Sequence, residues 1–281
     1  MWRSLLFLLS AFALLLVLLR LFERHLVFFP SPYPAGFWQP ERFGLAVQDA
    51  YFTAADGAAL HGWFVPHPAP VANLLMAHGN AGNLSDRVEW LTRLHGQVPA
   101  NLFMFDYRGY GRSSGTPSEE NCYRDAEAAH DWLQQHAPNL PILAHGHSLG
   151  SAVVIELAVR RPLSGLIIES GFTDAADMAR LMFGGLPMGW LAGMRWASRE
   201  KVAKLTLPKL FLHGDRDSVI PYHLGQKLFA AAADPKRFVT LAGVDHNDTF
   251  LSGGEIYYRA VREFVQQCAA QALPDTVKGT P

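Results

Sequence analysis

Short, continuously apolar runs alternating with amphipathic stretches constrain this chain more than any other feature. The runs cover residues 60–65, 73–77, 102–105, 142–144, 165–168, 209–212 and 238–241, and helical patterns occupy 84–94, 119–136, 150–160, 222–232 and 255–270. Several runs are apolar throughout, the pattern of strands covered on both faces. Strand, helix, strand in succession specifies an α/β architecture, a mostly parallel sheet with helices on both faces. Ligands of such sheets bind beyond the carboxyl ends of the strands, so chemistry is expected there. At 281 residues the chain can bury one sizeable core.

One of those strand ends carries Gly146-His147-Ser148-Leu149-Gly150, between the run 142–144 and a helix-forming stretch. That is the strand–turn–helix setting of a G-x-S-x-G nucleophile elbow. The turn is so tight that the positions two before and two after the serine must be nearly free of side chain. Ser148 then stands at the amino end of a helix, where developing negative charge is favoured.

An alcohol needs a base to act as a nucleophile, and the base needs an acid to orient it, in the chain order Ser, Asp, His. Run 209–212 leads into His213-Gly214-Asp215-Arg216-Asp217, and run 238–241 leads into Asp245-His246-Asn247-Asp248. His246 is the expected base. Asp217 and Asp215 both stand where the acid should be; Asp215 suits an Asx-turn that holds its own loop. Glu169, at the end of run 165–168, is a further acid position, although bonding to loop backbone explains it as well. Two backbone N–H groups should form an oxyanion hole: that of Leu149, just after the serine, and that of Asn80, in the loop His78-Gly79-Asn80-Ala81-Gly82-Asn83. Gly79 should let the backbone turn close to the serine, and His78 reads as a loop-fixing residue rather than a second base.

Other functions find no support. The net charge is −1, without the basic stripe that nucleic-acid binding requires. Neither H-E-x-x-H nor a cysteine cluster is present, and the remaining histidines show no ligand spacing, so no metal site is expected. Cys122 and Cys268 do not fix the redox compartment. The Gly-rich segment 106–115 lacks the GxxxxGK pattern of a phosphate loop and reads as a structural loop bordering the site.

The amino terminus is apolar from residue 5 to residue 19 except for Ser10, with Arg3 before it and Arg20 and Arg24 after it. A signal-peptide core has this length, but the small residues needed for cleavage do not follow it. Extended by its flanks, with the arginines snorkelling, the run is expected to be an uncleaved single-pass anchor, residues 1–25. Balanced positive charge on its two sides assigns no orientation. A Pro- and aromatic-rich connector, 26–44, reads as an extended tether at the membrane surface, and a polar tail occupies 272–281. The catalytic domain is expected at 45–271.

Together these motifs resemble the membrane-anchored α/β-hydrolase-domain serine hydrolases. The resemblance rests on residues 78–83, on 106–115, and on the elbow at Ser148. Glu169-Ser170-Gly171-Phe172-Thr173, His213-Gly214-Asp215-Arg216-Asp217 and His246-Asn247-Asp248 complete it, all in family order over roughly 45 to 270. It implies an α/β-hydrolase fold, Asp217 as the acid, and no cofactor. Val244-Asp245 stands where a small pair is usual. Family members include lysophospholipid and monoacylglycerol lipases, depalmitoylating thioesterases and proteins described as peptidases. Within the one long excursion from the alternating pattern, a small cap is expected at about 172–205. Its Met178, Met182, Phe183, Leu186, Met188, Trp190, Leu191, Met194 and Trp196 suit an acyl chain, or serve as packing between cap and sheet. The leading expectation is an ester or thioester hydrolase acting on acyl or lipid-type substrates. A serine peptidase and an inactive scaffold of the same fold are the alternatives, and no oligomeric state is assigned.

Overall fold

The structure, a computed structural model, describes residues 2–185 and 193–272. A long helix, α1 (Trp2–Val27), comes first, followed by β1 (Phe29–Pro30), β2 (Gln48–Thr53), β3 (Ala59–Val65), β4 (Ala72–Ala77) and β5 (Ala81–Gly82). Then come α2 (Val88–Gln97), β6 (Ala100–Phe105), α3 (Glu119–His136), β7 (Ile142–His147), α4 (Leu149–Arg160) and β8 (Gly165–Glu169). The chain continues through α5 (Ala175–Met182), α6 (Ser198–Val202), β9 (Lys209–Gly214) and α7 (Tyr222–Ala231). It closes with β10 (Lys236–Leu241), α8 (Thr249–Ser252) and α9 (Gly254–Ala272).

The main sheet has eight strands in the order β10-β9-β8-β7-β4-β6-β3-β2. Neighbours from β10 through β6 run parallel, whereas β3 is antiparallel to both β6 and β2. Alternate side chains of each strand enter opposite layers. Leu75, Ala77, Phe103 and Phe105 pack with α3, α4 and α7, while Leu74, Met76, Leu102 and Met104 pack with α2 and α9. Both faces are thus covered, which is why these strands read as unbroken apolar runs. Helix α4 is buried from Leu149 to Leu157, so it lacks a wide polar face. Each of its fully buried aliphatic side chains contributes ~1.5–3 kcal/mol.

The expected strand runs all coincide with strands. Edge strand β2 has no counterpart among them, because its outer residues Gln48, Asp49 and Tyr51 face solvent and break the apolar pattern. The connector differs from a free tether. Phe29 and Pro30 pair in parallel with Ala81 and Gly82, Tyr33 N–H donates to Gly111 O at 2.8 Å, and Phe28 is buried. It is bound to the loop that carries Asn80. Cap residues Leu186, Met188, Trp190 and Leu191 and residues 273–281 of the expected tail lie outside the described residues. Cys122 and Cys268 are both free and buried.

Among the described residues no single helix is long and apolar enough to cross a membrane. Trp2–Leu18 and Arg20–Val27, bent by 44° to one another, pass together by length and composition.

Candidate active site

Strand β7 ends at His147 and α4 begins at Leu149, so Ser148 alone makes the turn. Its φ of 56° and ψ of −119° lie where a residue with a side chain rarely sits. A Cβ on Gly146 would fall 2.2 Å from the Gly150 carbonyl oxygen, and one on Gly150 would fall 2.0 Å from that of Ala77. Neither position can carry a side chain, which is the steric reason for both glycines. Bonds on either side fix the turn: Ser148 N–H donates to Glu169 O at 2.9 Å, and Ser151 Oγ donates to Ser148 O at 2.6 Å. Gly79 also lies against the serine, but a methyl there would meet Ser148 Cβ at 3.6 Å, an ordinary contact. Close approach does not by itself require glycine at that position.

Asp217 and His246 come together from the loops after β9 and β10. His246 Nδ1 donates to Asp217 Oδ2 at 2.8 Å. Asp217 Oδ1 accepts from the N–H groups of Val219 and Ile220 at 3.0 and 2.7 Å, and His213 Nε2 lies 3.3 Å from Oδ2. Burial pushes the Asp217 carboxyl up, but the rings of His213 and His246 and the Ile220 N–H outweigh it and hold it well below the usual carboxylate range. An ionised Asp217 fixes the Nδ1–H tautomer of His246 and leaves Nε2 free to accept a proton. His147 Nε2 donates to the His246 carbonyl at 3.0 Å, and the two rings stand 4.9 Å apart. Burial lowers the His147 pKa to about 4, so that ring is neutral. Between Ser148 Oγ and His246 no hydrogen bond is formed; such bonds commonly tighten only in the Michaelis complex.

The other acids have different partners. Asp215 Oδ1 accepts from Gly243 N–H at 2.6 Å, and Asp245 accepts from the N–H and Oγ of Ser218, each at 2.8 Å. Both tie the β9 and β10 loops to each other. Glu169 is bonded to side chains rather than to loop backbone: His145 Nε2 at 2.6 Å, Tyr257 OH at 3.0 Å, and Thr249 Oγ1. Burial raises its carboxyl, but His145, the nearby His147 and Thr249 lower it to about 2. Tyr257 OH accepts in turn from Trp90 Nε1 at 2.9 Å. This network lies behind the elbow and does not reach His246.

Leu149 is the first residue of α4, so its N–H has no acceptor within the helix. The Asn80 N–H likewise carries no bond to a described residue, while the Asn80 carbonyl accepts from Phe29 N–H at 2.9 Å and Tyr110 OH at 2.7 Å. His78 Nδ1 donates to Gly79 O at 2.7 Å, and its Nε2 is 3.3 Å from Asp106 Oδ1. It fixes the loop, as its position suggested.

Ser148, Leu149 and Asn80 line a cavity of about 210 Å³ with Phe172, Met178, Met182, Phe183, Trp196, Val219 and Ile220. Glu23, Leu26 and Val27 of α1 complete its wall. No local signal in the sequence could have placed the amino-terminal helix there. The bond of His147 to the His246 carbonyl likewise has no local signal, because it depends on a loop brought in from elsewhere, whereas His213 bonds within its own loop, to Ile220 O at 2.9 Å. Among the described residues no group of three or more His, Cys, Asp or Glu side chains is placed to hold a metal ion.

Comparison with known proteins agrees with this architecture. Residues 74–266 match the alpha/beta hydrolase family, and the chain belongs to that family. It is therefore one of the family's hydrolases, with the family's fold. It is 37% identical over 253 residues to an uncharacterised protein of Mycobacterium tuberculosis, covering 88% of each chain. It is also 32% identical to the alpha/beta hydrolase domain-containing protein WAV2 of Arabidopsis thaliana, covering 90% of this chain and 91% of the relative. In structure it is similar to the esterase Pf2001 of Pyrococcus furiosus, with a TM-score of 0.70 at 19% identity over 86% of this chain and 98% of that one. Est1E of Butyrivibrio proteoclasticus, solved with ferulic acid bound, has a TM-score of 0.64 at 22% identity, covering 79% of this chain and 100% of that chain.

Proposed function

We propose that this chain hydrolyses ester or thioester bonds of acyl substrates through an acyl-enzyme on Ser148, while α1 holds it at a membrane. The observation that carries the reading is Ser148 in a strained turn within an apolar cavity, with the Asp217–His246 pair on adjoining loops. Ser148 Oγ attacks the carbonyl carbon as His246 Nε2 takes its proton, and Asp217 stabilises the imidazolium. The carbonyl oxygen, now negative, accepts from Asn80 N–H and Leu149 N–H. His246 returns the proton to the leaving alcohol or thiol. Water then repeats the sequence on the acyl-serine and releases the acid. The apolar lining favours an acyl group over a polar one. Pf2001, a fold neighbour, is an esterase by name, which agrees with this chemistry.

For the membrane the support is the exposed apolar surface of Trp2–Leu18, and the catalytic domain is assigned to 45–271. The test is labelling by a fluorophosphonate. Wild type should be labelled and Ser148→Ala should not; turnover should fall ~10³-fold or more in Ser148→Ala and His246→Ala, with the double variant hardly worse. Labelling that persists in Ser148→Ala would assign the nucleophile elsewhere.

A further inference from the structure

The last two turns of α1 are bound to the catalytic domain on both sides of the cavity. On one side Asn80 Nδ2 donates to Val27 O at 2.7 Å, joining the helix end to the loop whose N–H is assigned to the oxyanion. On the other side the Glu23 carboxylate accepts from Gly193 N–H at 2.7 Å and Met194 N–H at 3.0 Å, joining the helix to the cap. Leu26 and Met182 line the cavity, yet they remain 44% and 63% exposed. They therefore stand at its mouth, one on α1 and one on α5. The bend in α1 separates this docked segment, Arg20–Val27, from the apolar segment Trp2–Leu18 that precedes it.

We infer that the carboxyl-terminal end of the amino-terminal helix is a wall of the acyl-binding site. A membrane-borne acyl chain enters between Leu26 and Met182, which makes these two residues determinants of acyl length. The inference rests on the hydrolase reading for its substrate but on α1 contacts for its geometry. Anchor and specificity pocket are then one element. An acyl chain leaving the bilayer beside α1 meets Leu26 and Met182 and then the mostly apolar lining that leads to Ser148. Glu23 is the positioning residue that holds α1 against the cap.

The test uses the full chain in detergent micelles with two readouts. One is the ratio of kcat/KM on p-nitrophenyl palmitate to that on p-nitrophenyl acetate; the other is the Kd of pyrene-labelled hexadecanoate. Leu26→Trp and, independently, Met182→Trp should lower the ratio and raise the Kd ~10-fold or more, the scale on which pocket contacts discriminate chains. Val159→Trp, exposed and outside the cavity, should change neither by more than ~2-fold. If both mouth variants match Val159→Trp in both readouts, the wall assignment is overturned. A wild type that hydrolyses neither ester would sink the hydrolase reading instead, and the Kd series would still decide the wall.

Discussion

His147 donates from Nε2 to the main-chain carbonyl of His246 at 3.0 Å, so the residue beside the candidate nucleophile holds the loop that carries the candidate base. The bond spans 99 positions of sequence and links the elbow to the β10 loop. It makes His147 a positioning residue, neutral because burial lowers its pKa to about 4.

His147→Ala should lower kcat on a short-chain ester ~10- to 100-fold with little change in KM, because a small displacement of the base costs rate rather than binding. His147→Gln, which keeps a donor, should recover much of the loss. Steady-state kinetics on the two variants decide it: equal loss in both would show a packing role only.

Asp217→Asn should fold normally and lose ~10⁴-fold in turnover, because the amide cannot stabilise the imidazolium and favours the wrong tautomer. Asp215→Asn should keep most of its turnover and lower the melting temperature, since Asp215 holds Gly243 rather than His246. The reverse pattern would move the acid's role to Asp215.

Glu169 gives a pH dependence of known sign. Its folded pKa is lowered from 4.5 to about 2, so its ionisation stabilises the fold above pH 4.5, and that stability is lost as pH falls through this window. Glu169→Gln should destabilise the protein at neutral pH by ~3 kcal/mol, because His145 loses its buried partner. The gap between the two proteins should narrow as pH falls from about 4.5 to about 2 in denaturant melts. A gap that stays constant would place the loss in packing rather than charge.

Truncation should separate anchoring from wall-building. A chain starting at Phe37 would lose Val27 O, Phe29 N–H and Ser31 O, the partners of Asn80 and Asn83. It should therefore turn over even a water-soluble ester poorly. A chain starting at Arg20 keeps those bonds while shedding Trp2–Leu18. It should retain turnover on the soluble ester and lose activity on vesicle-borne substrate, through lower local concentration. Equal turnover on the soluble ester by both truncations would show that Asn80 does not depend on the docked helix end.

What the sequence determined by itself lies within short stretches of chain. Strands buried on both faces read as apolar runs, and Gly146 and Gly150 follow from contacts of 2.2 and 2.0 Å that no side chain survives. The order of Ser148, Asp217 and His246 follows from parallel strands β7, β9 and β10 each delivering a loop to the same edge of the sheet. Only the tertiary structure could decide the rest. Edge strand β2 lacks an apolar pattern because water covers its outer face, so pairing with β3 defines it. Glu169 finds its partners on β7, α8 and α9, and Asp215 finds Gly243 across two loops. The connector reads as a tether because nothing in residues 26–44 announces the edge at Ala81 and Gly82 with which it pairs. Glu23 meets Gly193 across 170 positions. Periodicity and local sterics act over a turn or a strand, whereas these contacts depend on how whole elements pack, and no short window of sequence contains both partners.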